Sequence, residues 1–139
     1  MKSILVSKIE EAETFGLSTV LSVKGRLYTY LNPVSYLIAL DNKQLYGRFD
    51  GIFADGSILV QAMRMLYGKN VTRRSFDMTS MAPELFSFAE QHGNNIYIVA
   101  SKQGQVERAI AIFRNRWPKL NFAGYRNGYF TSETEMDEE

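Results

Sequence analysis

Asp55-Gly56 follows the apolar run Gly51-Ile52-Phe53-Ala54 and precedes the amphipathic run Ser57 to Tyr67. A carboxylate at the mouth of such a strand-to-helix turn can act as a general base, because it is held within reach of a proton on a bound group. A free Asp titrates near pH ~3.9 and is a weak base unless burial raises that value. The same two residues also suit a plain Asp-Gly turn in which Asp55 caps the next helix. Asn32-Pro33 carries a similar double reading. Asn32 can cap a helix that begins at Pro33, and its amide can hold a sugar hydroxyl. Arg73 and Arg74 stand before another helix. Their planar guanidinium groups suit bidentate phosphate binding, and they also suit a solvated surface. Asp77 either pairs with one of them or caps that helix.

Further along, Ser101-Lys102-Gln103-Gly104 joins an apolar run to an amphipathic one. Backbone N–H groups at a helix start can cradle a diphosphate, although these residues form neither a Rossmann nor a Walker glycine fingerprint. Tyr125, Tyr129 and Phe130 lie in a Gly-rich aromatic loop. Their rings can stack on a sugar or nucleobase, or cover the edge of a core. His92, before Gly93, reads as a charge partner at a helix end. With one His and no Cys, no metal-ligand constellation is present in the sequence, and disulfides are excluded. Neither a metal nor a cofactor is expected.

These residues need elements to position them. Ser3 to Ile9 reads as a first strand and Ala12 to Val23 as a helix weakened by Gly16. Arg26 to Leu31 and Asp50 to Ala54 read as strands. Each leads into a helix, from Pro33 to about Leu40 and from Ser57 to Tyr67, the second ending at Gly68. Val71 to Phe76 is a connector or short strand. Thr79 or Ser80 caps a helix with Pro83 in its first turn and with Met81, Leu85, Phe88 and Ala89 on one face. Asn95 to Ala100 reads as a strand buried on both faces. Gly104 to Trp117 is the clearest helix, and Leu120 to Ala123 a last strand. From Thr131 the chain is acidic, and it is expected to be frayed or to begin a helix. Alternating strands and helices predict an α/β fold, with a mainly parallel, Rossmann-like sheet and helices on both faces. Ligands of such folds sit at the carboxyl ends of the strands, where the residues above are found.

The chain has 139 residues, 45% apolar and 22% charged, with a net charge of +1. That length predicts one domain over residues 1–130, with the acidic tail outside it. A net charge so near zero argues against strong electrostatic binding to nucleic acid. No apolar run approaches the roughly 18 residues that span a bilayer. Ile4-Leu5-Val6 is too short for a signal peptide, so a cytoplasmic location is expected.

Taken together, the sequence resembles the WecG/TagA/CpsF family, glycosyltransferase family 26. The resemblance runs from about Tyr28 to Phe130. It rests on Tyr30-Leu31-Asn32-Pro33, on Phe49-Asp50-Gly51 with Ala54-Asp55-Gly56, and on Arg73-Arg74-Ser75-Phe76-Asp77. The Ile96 to Val106 segment, Trp117-Pro118-Lys119-Leu120 and Gly124 to Phe130 complete it. It implies an inverting, metal-independent transferase that moves a sugar, often of N-acetylmannosamine type, from a UDP donor to a polyprenyl-diphosphate-linked sugar. Such work is done at the cytoplasmic face of the bacterial membrane, in making capsule, exopolysaccharide and related glycans, with peripheral membrane contact. The family's base falls on Asp55, its acceptor-pocket Asn on Asn32, and its mid-chain Arg on Arg73 or Arg74.

The sequence departs from the family pattern in three places. Tyr30 stands where a Thr is usual, with Thr29 one residue earlier. Ala100 and Ser101 occupy positions where glycines are common. Members also continue beyond Gly128-Tyr129-Phe130 with a Gly-x-Pro-x-Gln-Glu motif and an Arg-rich segment, so the resemblance implies an N-terminal portion. A second reading is therefore a sugar- or nucleotide-binding or assembly module without turnover. An uncovered sheet edge would favour a homo-oligomer.

Overall fold

The computed structural model describes residues 3–138. Its chain divides into two compact units, one ending at Glu84 and one beginning at Leu85. Each has its own hydrophobic core.

The first unit opens with a helix, α1 (Ile4–Ala12), where the sequence reading placed a strand. A short apolar run such as Ile4-Leu5-Val6 fits either element. Continuation through Ile9 and Ala12 decides for helix, because Leu5, Val6, Ile9 and Ala12 then share one buried face. The helix expected from Ala12 shrinks to α2 (Leu17–Ser22), which has no buried residue and starts behind Gly16. Two strands follow, β1 (Tyr28–Leu31) and β2 (Gly51–Ala54), linked by α3 (Pro33–Asp41) and the short α4 (Lys43–Tyr46). They pair in parallel, with Tyr28 opposite Gly51 and Leu31 opposite Ala54. Asp50 fixes the start of this ladder. Its carboxylate accepts from the Leu27 N–H at 2.8 Å and from the Arg26 guanidinium at 2.6 Å.

Every residue of β2 is buried. Leu31, Ile52 and Ala54 pack with Leu5, Val6 and Ile9 of α1. The opposite face carries Tyr28, Tyr30 and Phe53, whose rings lie 5.2–5.9 Å apart between centroids. Helix α5 (Ser57–Tyr67) has the bounds the sequence predicts, and Gly68 ends it at a left-handed φ of 64°. Much of α3 and α5 is apolar yet exposed, at Val34, Leu37, Ile38, Ile58, Met65 and Leu66. Helix α6 (Met81–His92) starts at the end of this unit and continues into the second.

The second unit contains β3 (Asn95–Val99), α7 (Gln103–Arg116), β4 (Asn121–Arg126) and α8 (Glu133–Glu138). β3 and β4 are also parallel, with a bulge at Ile96/Tyr97. The bulge brings the Tyr97 ring over Gly124, where a Cβ would come within 2.4 Å of the ring. Phe86, Val106, Ile110, Trp117 and Phe122 form the core, with Phe86 edge-on to Phe113 and Trp117. On α6 Met81 and Ala89 are buried as expected, with Ala82, but the buried ring is Phe86 rather than Phe88, which instead stacks on His92. His92 Nδ1 also meets the Phe88 carbonyl at the end of the helix.

β3 is not buried on both faces. Ile96 and Ile98 pack on the core while Tyr97 and Val99 are about half exposed. Helices of this unit cover one side of the strand, and a parallel strand is fully buried only when both sides are covered. The acidic tail takes the helical form over α8. Both sheets are parallel and their strands alternate with helices, the Rossmann-like α/β class that the sequence implies.

Candidate functional site

In the first unit, the parallel register sets the carboxyl ends of β1 and β2 side by side. The Asp55 N–H donates to the Leu31 carbonyl at 2.8 Å, so Asn32 and Asp55 leave the sheet together. A third segment joins them. The Arg74 N–H donates to the Ala54 carbonyl at 2.8 Å, which lays the Arg73–Ser75 connector along the end of β2 without forming a regular strand.

Asp55 does not cap α5. The cap position belongs to Gly56, at φ 102°, and among the described residues no side-chain cap bond is present there. That φ is strained for any residue with a Cβ. The Asp55 carboxylate is 36% exposed, and Arg73 Nη2 lies 4.0 Å from its Oδ1. Asn32 does cap its helix, and with its side chain. Its Oδ1 accepts from Ser35 N–H at 2.9 Å, and Ser35 Oγ accepts from Asn32 N–H at 2.8 Å. The oxygen is therefore committed to the helix, which leaves the Nδ2 amide as the group able to meet a ligand oxygen.

The two arginines have separate surroundings. Arg74 Nη1 donates to the carbonyls of Ala12 and Phe15, at 3.0 and 3.1 Å, and its guanidinium lies over the Phe53 ring. It ties down the end of α1. Arg73 faces Asp55. Its Nη2 donates to Ser75 Oγ at 3.3 Å and lies 3.8 Å from Asp77 Oδ2. Asp77 both pairs with Arg73 and organises the turn before α6, where its Oδ1 accepts from the Thr79 N–H and hydroxyl. Those bonds, then Ser75 and Arg73, hold its carboxyl below the ordinary Asp range. Ser75, only 2% exposed, is part of the Arg73 to Asp77 stretch that carries the resemblance, but the sequence assigns it no role of its own. The available signal was the spacing of Arg, Ser and Asp at every second residue.

Tyr30 and Thr29 point to opposite faces of β1, as neighbours in a strand must. Tyr30 lies on the aromatic face. Its hydroxyl contacts Met81 Sδ at 3.5 Å, and burial pushes the phenol up to about 12, with Arg74 opposing and Asp55 reinforcing the shift. It is therefore a neutral hydroxyl near Asp55. Thr29 pairs with Ile52, on the face that also carries Leu31 and Ala54.

In the second unit, the residues proposed for a nucleotide also gather at strand ends. Ser101 takes a left-handed φ of 57°, the conformation a glycine would adopt without strain. Its carbonyl accepts from the Gly128 N–H at 2.9 Å. Its hydroxyl donates to Gln105 Oε1 at 2.6 Å, which also accepts from the Lys102 N–H. Gln103 Oε1 accepts from the Asn127 N–H. Gly104 sits in the first turn of α7, and Lys102 is exposed. Tyr125 packs against the core, whereas Tyr129 is 66% exposed. The loop between them is held by Arg126, which reaches the Phe130 ring and Glu135.

Among the described residues no three His, Cys, Asp or Glu side chains are grouped to hold a metal, and no helix is long and apolar enough to cross a membrane. An apolar groove of about 370 Å³ lies between α3 and α5, lined in part by Pro33, Leu37, Ile58 and Leu66.

Residues 3–139 match the model of the glycosyl transferase WecG/TagA/CpsF family. The chain belongs to the WecG/TagA/CpsF glycosyltransferase family. It is similar to a UDP-Gal:alpha-D-GlcNAc-diphosphoundecaprenol beta-1,4-galactosyltransferase of Shigella boydii, with 29% identity over 104 residues. The matched segment is 75% of this chain and 44% of that enzyme, so the chain spans less than half the length of this relative.

Proposed function

We propose that this glycosyltransferase-family chain transfers a hexose from a UDP-sugar to a polyprenyl-diphosphate-linked sugar in cell-surface polysaccharide synthesis. The observation that carries the reading is the Asp55 carboxylate. It stands at the carboxyl end of β2, is not used as a helix cap, and has Asn32 and Arg73 beside it. Asp55 takes the proton of the acceptor hydroxyl as that oxygen forms a bond to the anomeric carbon. The bond from that carbon to the UDP phosphate oxygen breaks on the opposite side, so the anomeric centre inverts. Arg73 neutralises a substrate diphosphate, and the Asn32 amide donates to the acceptor sugar. Tyr30 supplies a neutral hydroxyl. In the second unit, Ser101 to Gly104 and Tyr129 are the proposed nucleotide contacts. Tyr125, packed on the core, contributes less directly.

The relative's donor is UDP-galactose, which stands beside an N-acetylmannosamine-type sugar as the donor to test. Reaction at a membrane surface follows from such a lipid acceptor, and the inner face of the bacterial cell membrane is the proposed side. The exposed apolar residues of α3 and α5 support peripheral contact with that membrane.

The test is transfer from each UDP-sugar to a polyprenyl-diphosphate-linked sugar with the anomeric product read by NMR, in the presence and absence of EDTA. Inverted product, formed without added metal and lost in Asp55→Asn, supports the reading. Unchanged turnover in Asp55→Asn overturns the assigned base. UDP binding without turnover by the native chain favours a binding module instead.

A further inference from the structure

Arg73 lies between two carboxylates that are held very differently. Its Nη2 is 4.0 Å from Asp55 Oδ1 and 3.8 Å from Asp77 Oδ2. Asp77 Oδ1 accepts from the Thr79 N–H at 2.8 Å and the Thr79 hydroxyl at 2.7 Å. Asp77 Oδ2 accepts from the Ser75 hydroxyl at 2.9 Å. Among the described residues no side-chain hydrogen bond of that kind fixes Asp55. Ser75 is itself anchored, since its N–H donates to Ser80 Oγ and its carbonyl accepts from the Met81 N–H.

A hydroxyl has one proton to donate. Ser75 gives it to Asp77, so a Ser75 lone pair is left to accept from Arg73 at 3.3 Å. The chain of bonds thus has a fixed direction, from Arg73 to Ser75 to Asp77. Because Ser75 is buried, water does not readily replace either link.

We infer that Asp77, acting through Ser75, is a positioning residue that aims the Arg73 guanidinium at the position a substrate diphosphate takes beside Asp55. The inference rests on the function proposed above. Asp77 stays ionised well below neutral pH, so the hold is constant over the working range. The arrangement also has an electrostatic consequence. Asp55, Arg73 and Asp77 together carry one net negative charge. Removing the Asp77 charge frees Arg73 to bind a diphosphate at least as strongly, but in the wrong place. The expected signature is a lower kcat without a higher KM for the UDP-sugar.

Two variants test this. In Asp77→Asn, an amide N–H replaces one oxygen and reverses the bond to Ser75. In Ser75→Ala, the link to Arg73 is cut while the Asp77–Thr79 bonds remain. Each is expected to lower kcat by about tenfold to a hundredfold with KM unchanged or lower, since a misplaced positioning group costs up to about a hundredfold. Ser75→Thr should restore turnover, and the double variant should be no worse than either single one.

A second readout does not depend on turnover. The Arg73 guanidinium ¹⁵N–H signals, slowed in rotation by the Ser75 bond, should broaden into fast rotation in both variants. If Asp77→Asn and Ser75→Ala keep the native kcat and the native Arg73 signals, the positioning role is wrong. It is equally wrong if KM rises in proportion as kcat falls, as loss of a ground-state binding contact would cause. The function reading fails separately, if Arg73→Ala and Asp55→Asn leave transfer intact. A chain with no transfer at all still tests the positioning role through the Arg73 signals.

Discussion

Two of the strand-to-helix turns, after β2 and after β3, pass through a positive φ and finish in opposite ways. After β2, Gly56 takes a φ of 102° and among the described residues no side chain closes the start of α5. The Asp55 carboxylate is left with Arg73 at 4.0 Å. After β3, Ser101 takes the positive φ, and the turn closes on itself. Ser101 and Lys102 both bond to Gln105, and Gly128 bonds back to Ser101. A polar group whose bonds are already made has little to gain from a ligand, because each new bond replaces an old one. The open turn is therefore the better place for proton transfer. The closed one leaves for an anion only the amides that its own side chains do not occupy.

The largest effect that sharpens this contrast is on turnover. Asp55→Asn is expected to lower transfer by about 10²- to 10⁴-fold, the usual share of a positioned base. Gln105→Ala at the closed turn should change it by less than about tenfold. Equal losses in the two variants, measured as initial rates at saturating UDP-sugar, would break the contrast.

Backbone strain gives the next effect. Gly56→Ala forces a Cβ into a φ of 102° and should destabilise the first unit by about 1–3 kcal/mol. Ser101→Gly relieves a smaller strain at φ 57° but loses the hydroxyl bond to Gln105. Those terms oppose one another, so the net change should stay within about 1 kcal/mol. Urea unfolding of both variants reads the difference directly.

The open turn was also the more legible in sequence. Asn32-Pro33 and Gly68 marked helix ends because one residue's local chemistry fixes the backbone there. Asp55 was placed at a strand end by the apolar run before it. The choice between Arg73 and Arg74 was not legible. Neighbours in an extended segment point to opposite sides, and which side meets α1 is set only once α1 packs on β2. That packing was itself hidden, because Ile4-Leu5-Val6 is too short to reveal a period. The role of Ser75 was missed for the same physical reason. Its burial depends on how the connector lies along β2, not on its neighbours in sequence. The two-sided burial expected for β3 failed because an apolar run records hydrophobicity, not how many helices cover it.

The smallest expected effects separate the two regions by pH. Tyr30, beside the open turn, has its phenol raised to about 12 mainly by burial. The folded state prefers the neutral phenol. Its contribution is complete below pH ~10, where the unfolded tyrosine titrates, and is lost as pH rises through about 12. Glu135, which tethers Arg126 beside the closed turn, has the opposite sense. The Thr131 hydroxyl and amide, and then Arg126, hold its carboxyl down to about 2. Its contribution is present above the ordinary glutamate range and is lost as pH falls from about 4.5 towards 2. Asp50 and Asp77 are also held low in the first unit, so acid weakens both units. A global melting curve therefore cannot separate the regions at low pH, but local hydrogen exchange can. Lowering the pH through this window should speed exchange at the Thr131 amide, after correction for intrinsic rates, and Glu135→Gln should show that fast exchange already at pH 6. At the alkaline end, Tyr30→Phe should reduce the loss of stability between pH 10 and 12 in the first unit without abolishing it, because burial also pushes the Tyr36 phenol up to about 12. Thr131 exchange that ignores both acid and Glu135→Gln would show that the loop beside the closed turn is held by something other than this carboxylate.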